Sequence, residues 1–226
     1  MPAVLLDAMG TLVELEPPGP ALRDVVRERW GLRVTAAEAE HAMHAEIGYY
    51  RAHHREGRDP ASLELLRRRC AEVVRAELPG AEGRSTSAVR DALLAALRFR
   101  AFPDAAPALR ELRTQGRRLV VVSNWDVSLP DVLARIGLAE LVDGVMPSAR
   151  AGADKPHAAI FLRALALAGV PPAEAIHVGD SLREDVAGAR AAGVSPVLLA
   201  RADPPPGTPA GVPVIASLGE LAALAP

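Results

Sequence analysis

Short apolar runs recur along the chain, and from about residue 100 onward they alternate with stretches of helical period. RRLVVVSN (117–124) is rich in β-branched residues and ends on small polar ones, AEAIHVGD (173–180) ends on Gly-Asp, and VSPVLLA (194–200) and VPVIA (212–216) follow. Between and after them lie DAAPALRELRTQG (104–116), closed by Gly116, REDVAGARAAG (183–193), stopped by Gly193, and SLGELAALA. With VLLDAM at the start and a weaker run, DGVMPS (143–148), the pattern predicts five or six strands separated by helices. That alternation is the signature of βαβ units around a parallel sheet. The expected fold class is α/β, with a Rossmann-like parallel sheet core and helices on both faces.

Residues 17–98 break the alternation. They carry no convincing strand, whereas RDVVRERWGL, TAAEAEHAMHAEIGYYRAHH, SLELLRRRCAEVVRAEL and SAVRDALLAALR all have helical spacing. The expected organisation is an α/β core made of residues 1–16 and 99–226, interrupted by an all-helical insertion, 17–98. LPGAEGRST (78–86) marks a turn inside the insertion, and ADPPPGTPAGVP (202–213) is a Pro/Gly loop between late elements.

Composition narrows the function classes. Half of the 226 residues are apolar, enough for a sizeable core, and the formal net charge of −2 leaves no nucleic-acid footprint. A single cysteine, Cys70, excludes an internal disulfide framework and a thiolate-rich metal site. Without a basic leader before a long apolar run, or a segment long enough to span a bilayer, the expectation is a cytoplasmic protein with no membrane partner, a monomer or homodimer. Lys155, in GADKPH, is the only lysine among 26 basic residues. Arginine replaces lysine freely where only charge matters, but not where a compact point charge is needed.

Ligands of parallel sheets bind at the carboxyl ends of the strands. Those ends carry Asp7, Ser123-Asn124 and Gly179-Asp180, and Lys155 enters a helix after a loop. If the strands lie side by side, these groups converge on one crevice. Four motifs in order resemble those of the haloacid dehalogenase superfamily of hydrolases: LLDAMGTL with Asp7, VVVSN with Ser123, Lys155 in DKP, and GDSLRED with Asp180 and Asp185. The helical insertion lies where one subgroup of that superfamily carries its cap.

The resemblance implies a covalent mechanism on Asp7 and a small-molecule, phosphorylated substrate. Asp7, Asp180, Asp185 and the Met9 carbonyl are hard oxygen donors suited to Mg²⁺, which would relieve the repulsion among the carboxylates. Ser123, Asn124 and Lys155 would bind the transferring group, Lys155 adding positive charge, and Thr11 would hydrogen-bond near Asp7 to orient it. The chain departs from the phosphatases of the superfamily at Met9, where they carry a second aspartate that protonates the leaving group. General acid–base help is worth about 10²–10⁴-fold. Dehalogenase members also have a non-acidic residue there, because departing halide needs no proton. Mg²⁺-dependent phosphate-ester hydrolysis, halide release from a 2-halo acid, and a catalytically impaired binding or regulatory role therefore all stay open. The phosphonate-cleaving branch needs a cap lysine, and the insertion has none.

Other tempting residues have plainer readings. His41, His44, His53 and His54 suit a solvated helix face, and His177 suits packing within its strand. Trp125 either lines the pocket or packs beneath it, and the arginines at 67–69 suit the surface. Asp126 is placed to cap the helix that begins near Leu129-Pro130, Glu184 to stabilise the first turn of the helix after the fourth motif, and Asp154 to balance charge beside Lys155.

Overall fold

The computed structural model describes residues 2–203 and 205–224. From β1 (Ala3–Leu6) the chain passes through a short β2 (Val13–Leu15) into four helices, α1 (Pro18–Trp30), α2 (Ala36–His53), α3 (Pro60–Glu77) and α4 (Thr86–Ala96). It returns through β3 (Phe99–Ala101), which pairs with β2 in a two-stranded sheet that the apolar pattern did not announce. After α5 (Ala105–Thr114) come β4 (Arg118–Ser123), α6 (Leu129–Arg135), β5 (Gly144–Pro147), α7 (Ser148–Ala151) and α8 (Ala158–Ala168). β6 (Ala175–Gly179), α9 (Gly188–Ala191), β7 (Ser195–Leu199), β8 (Val214–Ile215) and α10 (Leu221–Leu224) complete the described chain. Two units divide it, Met1–Glu14 with Ala101–Pro226, and Leu15–Arg100.

In the first unit six strands form one parallel sheet in the order β5-β4-β1-β6-β7-β8, an α/β Rossmann-like fold. The chain builds outward from β1 through β4 and β5, then crosses back to lay β6 on the other side of β1. Successive strand residues face opposite sides. Ala3, Leu5, Val120, Val122 and Met146 pack with Ile160, Phe161 and Leu165 of α8. Val4, Leu6, Leu119 and Val121, equally buried, point the other way, where α5 lies against β4. Register follows from this double burial, because a one-residue slip would exchange the two faces. Leu6 is level with Val121 of β4 and Val178 of β6, so the residues that follow in all three strands emerge together at one end.

The helix expected over 183–193 takes a different form. Leu182–Ala187 makes a wide π-type turn before α9, with the Ser181 carbonyl accepting from the amides of Asp185 and Val186 at 3.0 and 3.1 Å. The extra residue in that turn re-aims the Asp185 side chain inward. Such turns concentrate at functional sites.

The second unit packs α1–α4 around Leu22, Val26, Met43, Leu66, Val74 and Leu93. Its helix starts are specified locally. Thr35 with Glu38, and Asp59 with Ser62, form capping boxes, and Ser85 accepts from the Ala88 amide. His41, His44 and His53 lie on half-exposed or exposed faces, as their spacing predicts, but His54 is buried. No helix among the described residues is long and apolar enough to cross a membrane.

Glu46 is the unusual member of this bundle. It is 3% exposed, its polar neighbour is the Cys70 thiol, and burial pushes its carboxyl up to about 7. The folded chain therefore keeps a proton that the unfolded chain releases, so stability falls as pH rises from about 4.5 to about 7 and then levels off. Linkage bounds the effect at about 3 kcal/mol. Glu46→Gln is expected to abolish this slope and to raise stability above about pH 7, measured by urea unfolding across the window; an unchanged slope would exclude Glu46 as its source.

Candidate active site

The strand ends converge as the register requires. Asp7 follows β1 directly, and its amide still bonds the Val178 carbonyl of β6 at 2.9 Å. Ser123 closes β4, and its Oγ donates to Asp7 Oδ1 at 2.9 Å. Lys155, in the loop before α8, sends its ammonium between two carboxylates: Nζ donates to Asp7 Oδ1 at 2.5 Å and to Asp185 Oδ1 at 2.6 Å. The Lys155 side chain is 1% exposed. Asp180 lies at the rim beyond β6, and carboxylate oxygens of Asp7, Asp180 and Asp185 all fall within 4.8 Å of one another.

Two glycines make this convergence sterically possible. Gly10, at φ +80°, lies so close beneath Asp180 that a Cβ there would be 2.2 Å from its Oδ2. A Cβ on Gly179 would be 2.1 Å from the Asp185 Cγ. Neither position has room for a side chain, and at Gly10 the left-handed backbone adds strain for any other residue.

The electrostatics follow from burial opposed by pairing. Burial pushes the Asp7 carboxyl up to about 6; Lys155 pulls against that rise, while Asp185 and Asp180 add to it. Burial would also lower the Lys155 ammonium, but Asp185 and Asp7 outweigh it and hold the group above its ordinary value. Asp185 stays well below the carboxylate range, because Lys155 and His177 overcome its desolvation. At Asp180 burial and the charge of Asp185 raise the carboxyl. Three carboxylates thus face one ammonium, and the surplus negative charge lies on the side of Asp180.

The structure amends several sequence expectations. Thr11 does not orient Asp7 by a hydrogen bond: its buried Oγ1 has no partner among the described residues. Asn124 spends its side chain inward, accepting from the Lys155 amide at 2.7 Å and donating to the Lys155 carbonyl and to Glu184, each at 3.1 Å. It therefore clamps the lysine loop to the end of β4. His177 is not mere packing: besides standing edge-on to Phe161, its Nε2 lies 2.9 Å from Asp185 Oδ1. The signal available for it was its place inside β6, three residues before Asp180, where the apolar pattern of a buried parallel strand is broken. Glu184, expected only to steady its turn, also ties that turn to Asn124. Met9 is half-buried in the turn after Asp7, bridged to Val13. Trp125 is buried, its main chain bonded twice to Ser148. Asp126 accepts from the Ser128 amide at 2.7 Å, just ahead of α6.

The family model for haloacid dehalogenase-like hydrolases matches residues 1–193. The chain belongs to that family. Among curated relatives it is 46% identical over 100 residues to the haloacid dehalogenase-like hydrolase domain-containing protein 3 of Bos taurus, a stretch covering 44% of this chain and 40% of that one. It is 38% identical over 101 residues to the glyceraldehyde 3-phosphate phosphatase of Methanopyrus kandleri, covering 44% and 43% of the two. The matched stretch thus spans less than half the length of these relatives. Among solved structures, a HAD phosphatase from Thermococcus onnurineus is 26% identical at a TM-score of 0.66, with 99% of this chain and 97% of that one covered. A 2-haloacid dehalogenase from Pseudomonas syringae shares the fold at a TM-score of 0.68 and 23% identity, with 99% and 97% covered. Fold likeness within this hydrolase family therefore spans both phosphatases and dehalogenases, and the choice of chemistry rests on side chains.

Removing one partner of a buried ion pair strands the other. Lys155→Met is accordingly expected to cost about 3–5 kcal/mol of unfolding free energy at neutral pH without divalent cation. Adding Asp185→Asn should recover part of that loss. Strict additivity of the two substitutions in urea denaturation would show that the groups do not interact.

Proposed function

We propose that the protein hydrolyses a small phosphate ester, with Asp7 as nucleophile and Mg²⁺ as cofactor. The observation that carries this reading is the Asp7–Lys155–Asp185 constellation with Asp180 at its edge. The donor set fits a hard divalent cation, because three converging carboxylates are balanced by a single ammonium. Asp7, Asp180 and the Met9 carbonyl would hold the ion, with Asp185, whose oxygens accept from Lys155, His177 and Ser181, setting the charge behind them. When bound, the cation would offset phosphate charge and keep Asp7 ionised.

The chain's own groups supply the remaining steps. A carboxylate oxygen of Asp7 attacks phosphorus, the ester P–O bond breaks with its electron pair leaving on the alkoxide or phenolate, and an aspartyl-phosphate forms. Water then cleaves that acyl phosphate and returns the carboxylate. Ser123 and Lys155 donate to the transferring group's oxygens, and Asn124 keeps Lys155 in reach. Relatives named as glyceraldehyde 3-phosphate phosphatase, ribulose-1,5-bisphosphate 5-phosphatase and phosphoserine phosphatase support a small phosphorylated substrate. We further propose the helical unit as the substrate-selecting cap of the fold.

Met9 shapes the specificity of this reaction, since a thioether holds no proton for the leaving group. Substrates whose leaving groups depart as stable anions are favoured. The same residue supports a second reading, halide release from a 2-halo acid, in which the nucleophile forms an ester and no proton is required.

Hydrolysis of p-nitrophenyl phosphate with and without Mg²⁺ separates the readings. Turnover that needs both the metal and Asp7, and vanishes in Asp7→Asn, is the expected result. Metal-independent chloride release from 2-chloropropionate would instead select the dehalogenase. Met9→Asp is expected to speed hydrolysis of alkyl phosphates by about 10-fold or more while leaving the nitrophenyl ester little changed. No gain in a folded, metal-binding variant would remove Met9 as the limit on poor leaving groups.

A further inference from the structure

The turn after β1 is anchored by a side chain outside all four motifs. Arg201 lies two residues beyond β7. Its Nη2 donates to the Thr11 carbonyl at 2.7 Å, and Nε reaches the Gly10 carbonyl at 3.3 Å. The far edge of the guanidinium grips Asp104 through both carboxylate oxygens, at 2.9 and 3.0 Å, and its face lies 3.8 Å above the centre of the Phe102 ring. Asp104 is itself held by the Ser217 hydroxyl and the Leu218 amide, each at 2.9 Å. The next carbonyl of the turn, Leu12, accepts from the Phe102 amide at 3.0 Å. Three successive carbonyls of the turn therefore end on Arg201 or on the segment that Arg201 grips.

The place of this turn matters because of what borders it. Asp7 precedes it by three residues, and Gly10 lies against the Asp180 carboxylate with no spare room. A shift of the turn of about 1 Å would move Gly10 into or away from Asp180 and tilt Asp7, and misplacements of that size can cost about 10²-fold in rate. Holding two adjacent carbonyls and a carboxylate at once requires donors fixed in one plane, which guanidinium has and ammonium lacks.

We propose that Arg201 is the positioning residue of the nucleophile turn: its planar fork sets where Gly10 and Thr11 lie, and through them the separation of Asp7 from Asp180. The link to catalysis rests on Asp7 being the nucleophile, as read above. It holds for phosphate and halide release alike.

The test compares wild type, Arg201→Met and Arg201→Lys in two ways. Amide hydrogen exchange is followed at Leu12 and Val13, both bonded to the Ala8 carbonyl at 2.8 Å, with Val120 and Val121 of β4 as internal reference. Turnover is followed with p-nitrophenyl phosphate and Mg²⁺, and with 2-chloropropionate. Both variants are expected to accelerate exchange at Leu12 and Val13 by about 10-fold with β4 unchanged, and to lower kcat by about 10–100-fold with KM within about 3-fold. Lysine should fail to rescue, since it keeps the charge without the fork. Wild-type kcat in Arg201→Lys, unaltered exchange in the turn, or equal acceleration across β4 would each overturn the proposal. Should Arg201→Met not fold, Arg201→Lys carries both readouts. A wild type inert toward both substrates would remove the hydrolytic readings of Asp7, and exchange at Leu12 and Val13 would still decide whether Arg201 holds the turn.

Discussion

A buried ammonium paired with two carboxylates organises everything around it. Desolvating a lysine costs several kcal/mol unless its charge is met at hydrogen-bond distance, and Lys155 meets Asp7 and Asp185 at 2.5 and 2.6 Å with its side chain 1% exposed. Each partner arrives from a different element: Asp7 from the end of β1, Asp185 from the wide turn after β6, and Lys155 from the loop that Asn124 clamps to β4. The local irregularities of the core unit are the means of that meeting. The π-type turn at Leu182–Ala187 spends one extra residue to bring Asp185 inward, and Gly10 and Gly179 leave the space that the converging carboxylates occupy.

The same arrangement crowds three carboxylates around one ammonium. One ammonium faces Asp7, Asp180 and Asp185, and at the rim burial and the charge of Asp185 raise the Asp180 carboxyl. His177 extends the network into the apolar layer between β6 and α8, resting on Phe161 while holding Asp185 from behind. Asp185 is thereby committed to the lysine, and among the described residues the side-chain hydrogen bonds to Asp7, from Ser123 and Lys155, fall on one oxygen only. That division, one face held and the other presented, suits the role proposed above for Asp7.

Membership of the haloacid dehalogenase-like hydrolases and the charge of the site bear on different questions. The family and its fold accommodate both phosphoryl transfer and dehalogenation, so neither decides the leaving group. On the reading proposed above, the acidic fourth motif would hold a cation and with it a phosphate, and Met9 would suit a leaving group that departs without a proton. Both statements hold at once for a phosphatase acting on activated or weakly basic leaving groups, which is where the two halves of the site agree.

The sequence alone determined the α/β class and its parallel sheet core. Doubly buried parallel strands must be written as continuous apolar runs, and a charge at the end of such a run, as in LLD or HVGD, has to face the carboxyl edge. The helices α1–α4 follow the apolar period of their segments, since each needs one apolar face. What the sequence left open was decided by contacts between segments far apart in the chain. Nothing local distinguishes Arg201 from the other arginines, turns Asn124 inward, or leaves the Thr11 hydroxyl without a partner among the described residues. Apolar period is a property of neighbours along the chain and survives in one dimension. Side-chain hydrogen bonds to groups 30 to 190 residues away exist only once the sheet order has set which strand ends stand together.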